Sequence, residues 1–162
     1  MTRALLTFAT AVPADSAEIA ALRTAANDAL TAAHGRGQWS NAAKEPTVLR
    51  GIERARVLVA RRGRTIAGTL TLETKKPWAL DRAYFTPAKR PLYLVNMAVG
   101  PAFQRQGVGR ALLAHAAELA RAWPADALAA SNATGSPCSS SCAASCSPNH
   151  SRMRSGSIGS PL

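Results

Sequence analysis

Acidic residues are scarce in this chain: nine Asp and Glu stand against twenty Lys and Arg, a formal net charge of +11 over 162 residues. That imbalance points to anionic partners, with phosphates the obvious class. Aromatic side chains are also few, at 5%. The basic residues are scattered rather than gathered on one helix, and there are too few rings for stacking platforms, which argues against specific nucleic-acid binding. No apolar run approaches the roughly 20 residues that a membrane span needs. Met1 to Ala14 has one arginine and a short apolar stretch, a faint imitation of a secretory signal, but it leads directly into a capped helix. It reads as a first strand, and the expected location is cytoplasmic. The length suits one domain with a single core.

Two familiar phosphate-binding signatures are missing as well. The dinucleotide fingerprint needs three glycines after the first strand, and the P-loop needs Gly-Lys-Ser/Thr; neither is present. What the chain does have is the run from Leu94 to Leu113, LVNMAVGPAFQRQGVGRALL. An apolar strand passes through a short loop into Gln104-Arg105-Gln106-Gly107-Val108-Gly109 and then into a helix. The first turn of a helix leaves its amide donors without intrahelical partners, and the macrodipole adds partial positive charge there. Phosphate or pyrophosphate is the natural guest. Gly107 and Gly109 lack a Cβ, so such a ligand can approach the backbone closely.

This stretch resembles motif A of the GCN5-related N-acetyltransferases (GNAT), Gln/Arg-x-x-Gly-x-Gly/Ala, complete here as Gln104-x-x-Gly107-x-Gly109. The likeness extends from the first strand through Leu128. It implies acetyl-coenzyme A as cosubstrate, its pyrophosphate held by the amides of Arg105, Gln106, Gly107, Val108, Gly109 and Arg110 with Gln104 opening the turn. It also implies that Met97, Ala98 and Val99 line the pantetheine arm and the thioester. The implied reaction is acetyl transfer to a primary amine by direct attack on the thioester. A backbone N–H near Val99 would donate to the carbonyl oxygen, commonly the largest catalytic contribution, and holding amine and thioester together would supply most of the rest. The acceptor is a small-molecule or peptide amine.

The element pattern agrees with an α/β fold, a mixed central sheet with flanking helices. Asp15 is placed to cap a helix, with Glu18 at capping-box spacing. Ile19, Leu22, Ala26 and Leu30 recur at helical intervals until Gly35. A shorter helix is predicted around Val48, Leu49 and Ile52. Val57–Ala60 and Thr65–Leu72 read as a hairpin around Arg62-Gly63. Residues 77–91 form a loop bracketed by prolines. Leu92–Val99 is apolar on both faces and is expected to be central and covered on each side. A helix from about Gln106 to Trp123 follows, ended by Pro124, then a short strand within Asp126–Ala130.

From Ser131 the composition turns abruptly to Ser, Cys, Pro, Gly and Ala. The expected division is a GNAT-like domain over 1–130 and a tail over 131–162 that cannot bury enough surface to offset its ordering entropy. The resemblance implies a further helix and two strands there, which this composition does not supply. The fifth strand would then present an open edge and invite a homodimer or aggregation. Out-of-frame translation of a GC-rich gene and a genuine flexible tail both fit the composition. Cys138, Cys142, Cys146 and His150 fall at four-residue spacing, but Pro137 and Pro148 interrupt any helix, and zinc sites usually join paired ligands across a loop, so no metal is expected. Disulfides are not expected in a reducing compartment.

Glu73, at the end of the third strand, is the candidate general base acting through water; an exposed strand-end charge is the plainer reading. The family's general-acid tyrosine, in a Phe-Tyr-x-x-x-Gly-Phe segment, has no counterpart. Tyr93 reads as a packed strand residue and Tyr84 as a loop residue near substrate. His115 reads as packed, His34 as a helix-end residue, and Arg61, Arg62 and Arg64 as a solvated hairpin tip. Trp39 and Trp78 pack on the sheet or line an acceptor pocket. Two functions follow: an active N-acetyltransferase, or a defective relative that binds coenzyme A without efficient turnover or is inert.

Overall fold

The computed structural model describes residues 5–77, 88–123 and 125–130. The elements are β1 (Leu6–Thr10), a 3-10 turn (Pro13–Asp15), α1 (Ser16–His34), α2 (Glu45–Arg54), β2 (Arg56–Arg62), β3 (Thr65–Glu73), β4 (Pro91–Val99), a 3-10 turn (Pro101–Phe103), α3 (Val108–Ala122) and β5 (Ala127–Ala130). The strands form one sheet in sequence order. β1 to β4 run antiparallel to one another, and β5 lies parallel to β4, reached by the crossover through α3. The α/β element order is the one the periodicities predict, and the mixed sheet is the one the family resemblance implies. No helix among the described residues is long and apolar enough to cross a membrane.

The helices cover the two sheet faces. On one, Val108, Leu112, Ala116 and Ala120 of α3 pack on Leu58, Leu70, Leu72, Leu92 and Leu94. On the other, Ile19, Ala20 and Leu22 of α1 and Val48 of α2 pack on Val57, Val59 and Ile66. Leu112 and Ile19 are both fully buried, a burial worth about 2 kcal/mol for each such side chain. Gly68 of β3 sets how close α3 lies. A Cβ there would stand 2.8 Å from Leu112 Cδ1 and 3.2 Å from the Ala98 carbonyl oxygen.

Four expectations need correction. Asp15 and Glu18 do not make a capping box for α1. The Asp15 carboxylate accepts from the Val12 N–H at 3.0 Å, and Glu18 Oε1 accepts from the Ile66 N–H of β3 at 2.7 Å. Both acids join distant chain segments because Arg61 also reaches them, at 2.6 Å and 3.7 Å. Leu30 is 43% exposed, so the apolar stripe of α1 is buried only as far as Ala26. β4 is central, between β3 and β5, but only its first half is covered: Leu92, Tyr93 and Leu94 are buried, whereas Asn96 and Met97 are exposed. Finally, α3 starts at Val108, two residues later than expected, because Gln106 and Gly107 belong to the turn before it.

Trp78, Tyr84, Pro124 and the whole of 131–162, including Cys138, Cys142, Cys146 and His150, lie outside the described residues. Among the described residues, no cluster of three metal-ligating side chains occurs.

Candidate functional site

The site begins with a defect in β4. Between the pairs Thr69↔Ala98 and Thr71↔Val95, β3 advances two residues and β4 three, so β4 carries one extra residue. Asn96 absorbs it with φ +53°, in the left-handed region where asparagine is better tolerated than most residues. The last β4–β5 pair is Leu94↔Ala130. From Val95 to Val99 the strand therefore runs without a described partner on its β5 side, and at Val99 it borders a concavity shared with the turn into α3.

Beyond Val99 the chain turns into α3. Pro101–Phe103 form a single 3-10 turn, with the Phe103 N–H bonded to the Gly100 carbonyl at 2.8 Å. Arg105 then takes φ +57° and Gly107 φ +80°, two left-handed residues on either side of Gln106. Turns of this kind direct successive N–H groups toward one concave side and bind anions. The Ala111 N–H, at 2.9 Å from the Gly107 carbonyl, is the bond that closes the first helical turn, so the amides of Val108, Gly109 and Arg110 precede it. The dipole of the 15-residue α3 adds to them.

A concavity of about 530 Å³ is lined by Val99, Phe103, Gln104, Arg105, Gly107, Val108, Gly109 and Arg110. A Cβ on Gly107 would meet nothing within 4 Å, but the positive φ makes any side chain there strained. At Gly109 a Cβ would come to 3.2 Å from Met97 Cε and 3.6 Å from Val99 Cγ2, so a side chain there would press on the flexible end of Met97. The cradle is thus open, amide-lined and flanked by the exposed Arg105 and Arg110. A diphosphate fits that donor set.

Side chains hold the turn in place. Gln104 Nε2 donates to the Val99 carbonyl at 3.3 Å and Gln106 Nε2 to the Ala102 carbonyl at 2.7 Å. Arg62 donates from Nη1 to Gln106 Oε1 and lays its guanidinium 5.5 Å over the Phe103 ring. Sequence reading placed Arg62 at a solvated tip and left Phe103 unremarked; both serve the turn. Arg61 is likewise no tip residue, given its pairs with Asp15 and Glu18. Strand alternation alone would have separated Arg62 from Arg61, but not named Gln106 as its acceptor.

The remaining candidates divide. Met97 and Val99 face the α3 side of the sheet, where Met97 is 37% exposed beside Gly109. Ala98 packs on the opposite face against the α1 core, so it offers the α3 side its backbone only. Glu73 pairs with Tyr93, whereas Val99 pairs with Gly68. At about 3.3 Å per residue, the six steps from Tyr93 to Val99 are on the order of 20 Å, so the two catalytic candidates are not brought together. His115 stacks on Phe8 with ring centroids 4.7 Å apart, and Tyr93 packs on Ala129, as read from the sequence. Trp39 lays its ring against Gly37: a Cβ on that glycine would lie 2.7 Å from the indole.

The model of the Acetyltransferase (GNAT) family matches residues 19–136. Solved structures of the same fold include yncA from Salmonella typhimurium with its cofactor acetyl-CoA, at 21% identity and TM-score 0.57, over 77% of this chain and 68% of that one. A GNAT family acetyltransferase from Brucella melitensis in complex with acetyl-CoA aligns at 18% identity and TM-score 0.55, over 78% and 75%. The PaiA N-acetyltransferase from Thermoplasma acidophilum in complex with coenzyme A aligns at 12% identity and TM-score 0.60, over 78% of each chain. No curated protein matches the sequence.

Proposed function

Because the chain belongs to the GNAT acetyltransferase family, we propose that it transfers an acetyl group from acetyl-CoA to a primary amine by direct attack on the thioester. The observation that carries this is the left-handed Arg105/Gly107 turn, which feeds the amides of Val108, Gly109 and Arg110 toward a concavity that begins at Val99, the end of β4. When bound, acetyl-CoA supplies an acetyl group already activated as a thioester. The amides of residues 105–110 hold the diphosphate, with the Arg105 and Arg110 side chains adding charge. Gln104, Gln106 and Arg62 keep the turn in its binding shape. Met97, the Ala98 backbone and Val99 line the arm, and an N–H near Val99 polarises the carbonyl. Glu73, on the α1 face, receives the amine proton through water. The domain over 1–130 carries these roles.

Calorimetric titration with acetyl-CoA, followed by an assay of free thiol release over a panel of amines, tests the proposal. Saturable binding with amine-dependent thiol release is the expected result. Binding without release on any amine would instead identify a coenzyme A binder without turnover. Absence of binding to folded protein overturns the reading altogether.

A further inference from the structure

We propose that Arg23 recognises an acid group on the acceptor, so that the amine acetylated also bears a carboxylate and is of the amino-acid class. The inference rests on the acetyl-transfer reading above and names the acceptor for the same site.

Arg23 lies four residues after Ile19 and three before Ala26, both buried, so it sits on the face of α1 that meets the sheet. Its Nη2 donates to Thr71 Oγ1 at 3.2 Å, and its Nε is sealed from solvent with no partner among the described residues. A guanidinium has five N–H donors in a rigid fork. Thr71 is the single acceptor it meets among the described residues, and none of the described carboxylates lies within 4.0 Å of it. The neighbouring acids are engaged elsewhere. Asp15 and Glu18 bind Arg61, and Glu45 accepts from the Ser16 hydroxyl at 3.0 Å. Burial pushes the Arg23 guanidinium below its ordinary pKa through desolvation. Arg23 as a whole is only half-buried, but its sealed Nε lacks an acceptor among the described residues, and a donor taken from water is normally paired.

The location gives this unmet demand a purpose. Thr71 pairs with Val95, the residue just before the Asn96 bulge and just after the last β4–β5 pair. Arg23 thus stands beneath the point where β4 leaves β5, on the face opposite α3 and the phosphate turn. An acceptor bound on the α1 side of β4 would lie against this cation. A carboxylate matches the fork of Arg in two parallel hydrogen bonds. In an α-amino acid the amine lies one carbon from that carboxylate, so anchoring the acid fixes the nucleophile close to the fork.

The test uses matched pairs differing by one carboxylate, tryptophan with tryptamine and lysine with cadaverine. Their binding to the full chain saturated with coenzyme A is measured by ligand-observed NMR titration, and acetylation rates are measured in parallel. The amino acids are expected to bind and to be preferred. Arg23→Met should weaken their binding about 10- to 100-fold, while leaving coenzyme A affinity and the decarboxylated amines unchanged. Arg23→Lys should restore part of the preference. The proposal is overturned if no amino acid binds coenzyme A-loaded protein, or if Arg23→Met weakens both members of a pair equally. It is also overturned if Arg23→Met lowers thermal stability without changing the preference, since Arg23 would then serve the fold rather than the acceptor. Failure of coenzyme A itself to bind would sink the transfer reading instead, and the two failures are distinguishable.

Discussion

The α3 face and the α1 face of the sheet contribute to the candidate site by different means. On the α3 side the working groups are backbone amides, shaped by two left-handed residues and a helix start, with side chains such as Gln104, Gln106 and Arg62 only bracing them. On the α1 side the working groups are side chains, above all Arg23 over Thr71, standing on regular helix and strand. A backbone site needs particular residues at fixed spacing, because only glycine accepts certain conformations without strain. A side-chain site needs convergence of residues far apart in sequence, 48 positions in the case of Arg23 and Thr71. The first tolerates little change in the turn but is indifferent to most of the surrounding surface. The second is free to change specificity by single substitutions without disturbing the first.

The widest effect should come from removing packing on each face in turn. Leu112→Ala and Ile19→Ala each excise a fully buried side chain and should each lower stability by about 2–5 kcal/mol in denaturant unfolding. At a temperature where both variants remain folded, only Leu112→Ala is expected to weaken acetyl-CoA binding, because it loosens the helix whose N-terminus forms the cradle. Equal loss of affinity in both would erase the distinction between the faces. Next, Gly107→Val forces a β-branched residue to φ +80°, a strain of roughly 1–2 kcal/mol. It should weaken acetyl-CoA at least tenfold by calorimetry, with little change in amine preference.

A smaller effect is expected from Arg62→Met, which removes one of the side-chain contacts that hold Gln106 while leaving every amide in place. Affinity for acetyl-CoA should fall by about 1 kcal/mol, the worth of one net hydrogen bond, and thermal stability should barely move. Least of all should follow from Glu73→Gln. Tyr93, its strand partner, is three residues from Asn96, on the order of 10 Å, so Glu73 acts at most through water. A kcat reduced by less than tenfold with an unchanged Kd for acetyl-CoA is the expected result. A larger loss, confined to kcat, would make Glu73 the base outright.

How much of this was legible in the sequence follows the same division. The element order, the hairpin between β2 and β3, the central place of β4 and the short strand β5 are all written in local periodicity and turn residues, whereas the parallel direction of β5 came only with the structure. So is the phosphate turn, whose glycines are its mechanism. Gly68, by contrast, looks like any strand glycine until α3 is laid across it at 2.8 Å from a missing Cβ. The bulge at Asn96 was hidden because an apolar run gives no sign of an inserted residue. Asp15 and Glu18 have capping-box spacing, yet the nearby Arg61 and the β3 backbone outcompete the helix end. Arg62 and Arg23 were unreadable as functional residues for one reason: the meaning of an arginine lies in what faces it, and their partners Gln106 and Thr71 are 44 and 48 residues away.

The central claim is that backbone amides entering α3 grip the diphosphate of acetyl-CoA. Amide chemical shifts of labelled protein, followed through a titration with acetyl-CoA, test it most directly. The largest perturbations should fall on Arg105, Gly107, Val108, Gly109 and Arg110, with α1 and α2 amides little changed. Saturation of binding with those five resonances unmoved, and the shifts concentrated on the α1 face, would contradict it.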